Sequence, residues 1–173
     1  MTQSAFDTVV HDDYPTRLPQ EHWQERKDPI VWGKWTPEAP LTRAETHQFE
    51  KDGFLILTGV FSAAEVAALQ AESARMRSGE AQLAADNIIT EPGSNEVRTV
   101  FRLDEQSGLF DRLARDKRVA GRVSYLLDDD VYLHQSRLNY KPGFTGKEFY
   151  WHSDFETWHA EDGMPRMRAI SAS

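Results

Sequence analysis

The sequence predicts a mostly β fold with flanking helices, and three observations lead there. Strand-like segments recur at 54–60, 96–103, 131–140, 147–155 and 167–173, parted by turn residues such as Pro92-Gly93, Asp128-Asp129-Asp130 and Pro142-Gly143. Two Ser/Thr-x-x-Glu spacings, Thr42 to Glu45 and Ser62 to Glu65, each mark the start of a helix. The longest apolar run, Phe54 to Leu57, has the length of a buried strand and falls far short of the ~20 residues of a membrane span.

Residues 1–41 carry Pro15, Pro19, Pro29, Pro37 and Pro40 together with Trp23, Trp32 and Trp35. Prolines break helical periodicity, so this stretch is expected to be an extended arm that packs through its tryptophans on the domain formed by 42–173. A partly disordered leader is the alternative. Thr42 opens a short helix over 43–51 that stops at Gly53. The strand 54–60 follows, and Ser62 then opens a helix over 63–77 with Val66, Leu69 and Met76 on its apolar side. Residues 86–95 read as a strand end and a loop, 96–103 as a strand, and 107–127 as one or two short helices parted at Gly121.

The segment 131–140 is less simple. Val131, Leu133, Gln135, Arg137 and Asn139 share one face of a strand, and Tyr132, His134, Ser136, Leu138 and Tyr140 the other. Neither face is cleanly apolar. The strand is either an edge with solvated polar residues or the wall of a polar pocket into which Gln135, Asn139 and Lys141 point.

Composition excludes several classes. The chain of 173 residues has 28 acidic and 20 basic side chains and a formal net charge of -8, the wrong sign for a nucleic-acid partner. It has no cysteine, which removes disulfides, zinc–thiolate sites and thiol nucleophiles and fits a reducing cytoplasm. Residues 1–13 lack the basic start and apolar stretch of a signal peptide, so a cytoplasmic, membrane-free protein is expected.

The most informative stretch is FYWHSDFETWHAEDGMP at 149–165. His152 and Asp154 stand at i and i+2, which in an extended strand places both on one face. An imidazole and a carboxylate so arranged can grip one metal from one side. Two His and one carboxylate on one face, with open positions opposite, is the ligand set of non-haem Fe(II) oxygenases. A salt bridge from Arg166 or Arg168 to Asp154 is the competing explanation. His159 lies on the opposite strand parity, and His134 faces away from Gln135, so neither is favoured as a further ligand.

That 17-residue run, with HQSRLNYKPGF at 134–144, YPTR at 14–17, DPIVWG at 28–33 and KDGFL at 51–55, resembles the ectoine hydroxylase family. This is a phytanoyl-CoA-dioxygenase-like branch of the Fe(II)/2-oxoglutarate oxygenases, and the resemblance covers essentially the whole chain. It implies a double-stranded β-helix (jelly-roll, cupin-like) core and hydroxylation of ectoine to 5-hydroxyectoine, with O2 and 2-oxoglutarate consumed and succinate and CO2 released. His152 and Asp154 would hold Fe(II). Asn139, Lys141 and Phe149 would contact 2-oxoglutarate, Gln135 and Trp158 would contact ectoine, and Ser173 is placed near the co-substrate. Chemistry agrees: Lys141 can pair with a carboxylate, Gln135 can both donate and accept, and Trp158 offers an aromatic face to a delocalised cation unless it is a core residue. A homodimer is implied for the full-length protein.

The family's second iron-binding His and its 2-oxoglutarate-binding Arg have no counterpart in the sequence, and a jelly roll needs about eight strands. The chain is therefore expected to be the N-terminal part of such an enzyme, exposing apolar surface and unstable and inactive alone. The alternatives are a related oxygenase acting on another small amino acid, and a non-catalytic remnant that binds a ligand or partner.

Overall fold

Both capping boxes form. In the computed structural model, which describes residues 12–143, 148 and 150–173, the Thr42 hydroxyl accepts from the Glu45 amide and the Glu45 carboxylate accepts from the Thr42 amide. This starts α1 (Arg43–Asp52), and Gly53, at φ 75, stops it in the left-handed conformation that glycine adopts without strain. Ser62 and Glu65 repeat the arrangement for α2 (Ala63–Arg77).

The described residues divide into two compact units, one built from 30–149 and the other from 12–29 with 150–171. In the first, a three-stranded antiparallel sheet has the order β1 (Ile88–Thr90), β2 (Val97–Phe101), β3 (Arg137–Asn139). β2 sits in the middle. It pairs Ile88 with Val100 on one side, and Thr99 with Asn139 and Phe101 with Arg137 on the other. The Arg102 amide donates to the Ser136 carbonyl at 2.9 Å and the Tyr140 amide to the Arg98 carbonyl at 2.7 Å, so the β2–β3 pairing runs one residue past each end of β3. Between β2 and β3 lie α3 (Leu103–Gln106), α4 (Gly108–Ala114) and α5 (Ala120–Leu127).

The core of this unit gathers Met76 from α2, Ala81, Val100 from β2, Leu103 and Phe110, with Leu69, Leu83, Leu113, Leu138 and Tyr140 packed around them. Tyr140 is amphipathic. Its ring covers the core while its hydroxyl donates to the Ser73 carbonyl at 2.7 Å. Residues 30–41 dock on α5: the Trp32 amide donates to the Leu126 carbonyl at 2.8 Å, and Gly33 passes so close that a Cβ there would lie 2.0 Å from the Tyr125 carbonyl oxygen.

Several expectations change. Residues 54–60 join no ladder; Phe54 is 57% and Ile56 76% exposed while Leu55 and Leu57 are half-buried. The period-2 alternation is present, but a strand needs a partner and this segment has none among the described residues. Helices form within 107–127, yet the break falls at 115–119 and Gly121 lies inside α5. There the Asp116 carboxylate accepts from the Arg118 amide at 2.8 Å and turns the chain locally. Residues 131–135 join no strand, and helices outweigh the three short strands among the described residues, against a mostly β expectation.

In the second unit, Ser153 precedes α6 (Asp154–Ala160). The expected strand over 147–155 is therefore a helix start at its C-terminal end; residues 144–147 lie outside the described ones. Trp23, expected to pack, is 94% exposed. Tyr14 packs instead, its ring meeting Phe155 edge-on at 5.6 Å.

Two outcomes follow for the first unit. Gly33→Ala forces the 30–41 segment off α5 and lowers stability by about 1–3 kcal/mol, read as a fall in unfolding midpoint. Hydrogen bonds from Arg118, and then from the Ser62 amide, hold the Glu65 carboxyl down at about 2, and Arg118 does the same for Asp116. Carboxylates with lowered folded values contribute stability that is full above their unfolded values and lost as pH falls. Urea midpoints should therefore decline from about pH 4.3 toward 2, less steeply in Glu65→Gln.

Candidate metal and substrate site

The His152 ring is fixed by its neighbour's backbone. Nδ1 lies 2.7 Å from the Tyr150 carbonyl oxygen. A carbonyl only accepts, so Nδ1 carries the proton, and in the neutral imidazole Nε2 is left with its lone pair outward. Nε2 lies beside Asp154, 3.3 Å from its Oδ1. Nitrogen and carboxylate ligands typically sit about 2.0–2.2 Å from a first-row divalent cation, so both atoms can reach one ion. A neutral imidazole and a carboxylate also match the borderline hardness of Fe(II). The donor set fits a divalent cation, and both side chains remain partly open to solvent. Among the described residues no third His, Asp or Glu joins them to complete a ligand cluster.

The i, i+2 spacing thus brings the two groups together by a different route from the one expected. His152 lies outside regular secondary structure, and Asp154 opens α6. The helix adds something a strand would not: Asp154 and Trp158, at i and i+4, share one stripe of α6. Trp158 is half-buried, and its carbonyl accepts from the Met164 amide at 2.9 Å. Arg166, a candidate partner for Asp154, instead donates to the buried carboxylate of Asp28. Asp28 also accepts from the Tyr14 hydroxyl, and burial, reinforced by that bond, pushes the Tyr14 hydroxyl above its ordinary value and keeps it a donor. His159 is committed elsewhere: Nδ1 contacts the Met164 carbonyl at 2.6 Å and Nε2 the Asp12 carboxylate at 2.9 Å.

Gln135, Asn139 and Lys141 belong to the sheet unit, and all three are exposed. Asn139, at the end of β3, is oriented by its cross-strand partner: the Thr99 hydroxyl donates to Asn139 Oδ1 at 3.0 Å. Gln135 borders an open cleft of about 810 Å³ whose other walls include Asp86, Asn87, Arg102, Asp104 and Glu105. His134, expected to face away from Gln135, borders the same cleft, in a stretch that is not part of a strand. Phe149 lies outside the described residues, and Ser173 is exposed.

Sequence reasoning missed three contributors: the Tyr150 carbonyl, Thr99, and the Tyr14–Asp28–Arg166 cluster. Only the first had a local signal, its position two residues before His152.

His152 and Asp154 thus present two donor atoms 3.3 Å apart, one helical turn from Trp158. The model of the phytanoyl-CoA dioxygenase (PhyH) family matches residues 49–173, and the chain belongs to that family. Among curated relatives, the ectoine dioxygenase of Sphingopyxis alaskensis is 52% identical over 165 residues, 95% of this chain and 54% of the relative. That of Halomonas elongata is 46% identical over 165 residues, 94% of this chain and 49% of the relative. The crystal structure of EctD from S. alaskensis with bound Fe superposes with a TM-score of 0.87 at 51% identity, covering 91% of this chain and 57% of that one. Its complex with 2-oxoglutarate and 5-hydroxyectoine gives 0.86 at 52% identity, with 91% and 56% covered. The chain spans about half the length of the curated relatives it matches.

Replacing Thr99 by Val removes the bond that orients Asn139 and should cost about 1 kcal/mol. The check is the unfolding midpoint, together with amide exchange at Tyr140, whose pairing with Arg98 should open more often.

Proposed function

We propose that the protein hydroxylates ectoine to 5-hydroxyectoine, using Fe(II), 2-oxoglutarate and O2 and releasing succinate and CO2, a step in compatible-solute biosynthesis. The observation that carries this reading is the His152–Asp154 pair, with the imidazole tautomer fixed and Nε2 3.3 Å from Oδ1. Its support is membership of the PhyH family and the likeness to ectoine dioxygenases at about half identity.

In this reading His152 Nε2 and Asp154 Oδ1 hold the iron, and the Tyr150 carbonyl keeps the His152 proton on Nδ1. Bound Fe(II) would supply O2 activation coupled to oxidative decarboxylation of 2-oxoglutarate. The Lys141 ammonium pairs with a carboxylate of 2-oxoglutarate, Asn139 hydrogen-bonds it, and Phe149 packs against it. The Trp158 face covers the amidine cation of ectoine, and Gln135 donates to or accepts from its polar edge. Holding the substrate C–H bond in place and excluding water are the protein's contributions. The finer fold reading belongs to the same proposal: an N-terminal arm over 1–41, and 42–173 as the N-terminal portion of a jelly-roll dioxygenase domain that acts as a homodimer.

The test is an assay of the intact gene product with Fe(II), 2-oxoglutarate and ectoine. Succinate and 5-hydroxyectoine should form in equal amounts, and Asp154→Ala should lower kcat at least 10²-fold. Succinate formation that ectoine does not stimulate would exclude it as the substrate.

A further inference from the structure

The contacts that fix α6 come from more than 120 residues earlier in the chain. The Arg17 guanidinium forks between two carboxylates, with Nε 3.0 Å from Glu156 Oε1 and Nη2 2.5 Å from Glu161 Oε1. Asp12 takes up His159 Nε2 at 2.9 Å. Tyr14 meets Phe155 edge-on, and Phe155 stacks on His159 with ring centroids 5.2 Å apart. Asp28, buried at 8% exposure, ties Tyr14 to Arg166 beyond the helix.

These contacts surround much of the helix. At 3.6 residues per turn, Asp154 and Trp158 line one stripe of α6, which Glu161 continues at i+7, while Phe155, Glu156 and His159 occupy its flank and back. The arm therefore holds the flank and back of α6 through Phe155, Glu156 and His159, and through Arg17 to Glu161 it also reaches the end of the stripe that carries a metal-ligand candidate and a substrate-contact candidate. Arg17 itself stands at φ 55, a left-handed conformation disfavoured for a side-chain-bearing residue. Such a conformation persists only where surrounding contacts hold it, and tends to accompany function.

We propose that residues 12–28 are a positioning clamp for α6, with Arg17 the positioning residue that sets where Asp154 and Trp158 stand. This rests on the reading of His152 and Asp154 as iron ligands. Arg17 touches neither iron nor substrate; it acts through Glu156 and Glu161. Exposed ion pairs contribute little to global stability, so the clamp's effect belongs in metal affinity and substrate KM rather than in the unfolding temperature. That separates positioning from scaffolding.

The experiment is anaerobic Fe(II) titration of the intact gene product with 2-oxoglutarate present. Parent, Arg17→Ala, the charge swap Arg17→Glu with Glu156→Arg and Glu161→Arg, and Asp154→Ala are compared, with melting temperature and the KM for ectoine measured alongside. Arg17→Ala should weaken Fe(II) binding about tenfold and raise KM at unchanged melting temperature, and the swap should recover most of the affinity. Parent-like Fe(II) affinity in Arg17→Ala overturns the clamp, and so does an affinity loss matched by a fall in melting temperature. If instead Asp154→Ala binds Fe(II) as the parent does, the ligand assignment itself fails and takes the clamp with it.

Discussion

A buried carboxylate must be paired, and that of Asp28 organises the unit on which the metal-ligand candidates stand. Withdrawing an isolated charge from water costs several kcal/mol even after relaxation. The carboxylate is matched by the Tyr14 hydroxyl on one oxygen and the Arg166 guanidinium on the other. With both in place, the arm is tied to the chain that follows α6, and Tyr14 is set edge-on against Phe155. α6 is only seven residues long and has no side-chain cap. A helix so short is marginal by itself, so its stability must come from what packs on it.

In the sheet unit the corresponding role belongs to β2. Val100 is fully buried in the core, Thr99 reaches across to Asn139, and the strand's continuation at Arg102 bonds the carbonyl of Ser136. One strand therefore anchors the hydrophobic cluster and sets the stretch 135–139 that contains two of the ligand-contact candidates. The Tyr150 carbonyl does the same on a smaller scale for His152, engaging Nδ1 as a donor and orienting the ring.

Much of this was legible in the sequence where the signal is local. Thr42 with Glu45 and Ser62 with Glu65 locate two helices because a cap is satisfied within four residues. His152 and Asp154 are legible as a pair because two residues of separation keep them close in strand and helix start alike. The same rule was overlooked at Ser153 and Glu156, which have the Ser-x-x-Glu spacing at the start of α6. There Glu156 turns to Arg17 and no box closes. The segment 54–60 shows the limit from the other side: its alternation is right for a strand, but a ladder is a property of two segments. Thr99 and Arg17 could not be found from spacing at all, since their partners lie 40 and about 140 residues away.

The most direct test of the account is 15N NMR of the imidazole nitrogens in the intact gene product, before and after addition of a diamagnetic divalent ion such as Zn(II). The account predicts that His152 is protonated at Nδ1 in the metal-free protein and that its Nε2 resonance moves on metal addition, while His159 keeps its position. A His152 protonated at Nε2, or a His152 resonance that ignores the metal while another histidine responds, would contradict it.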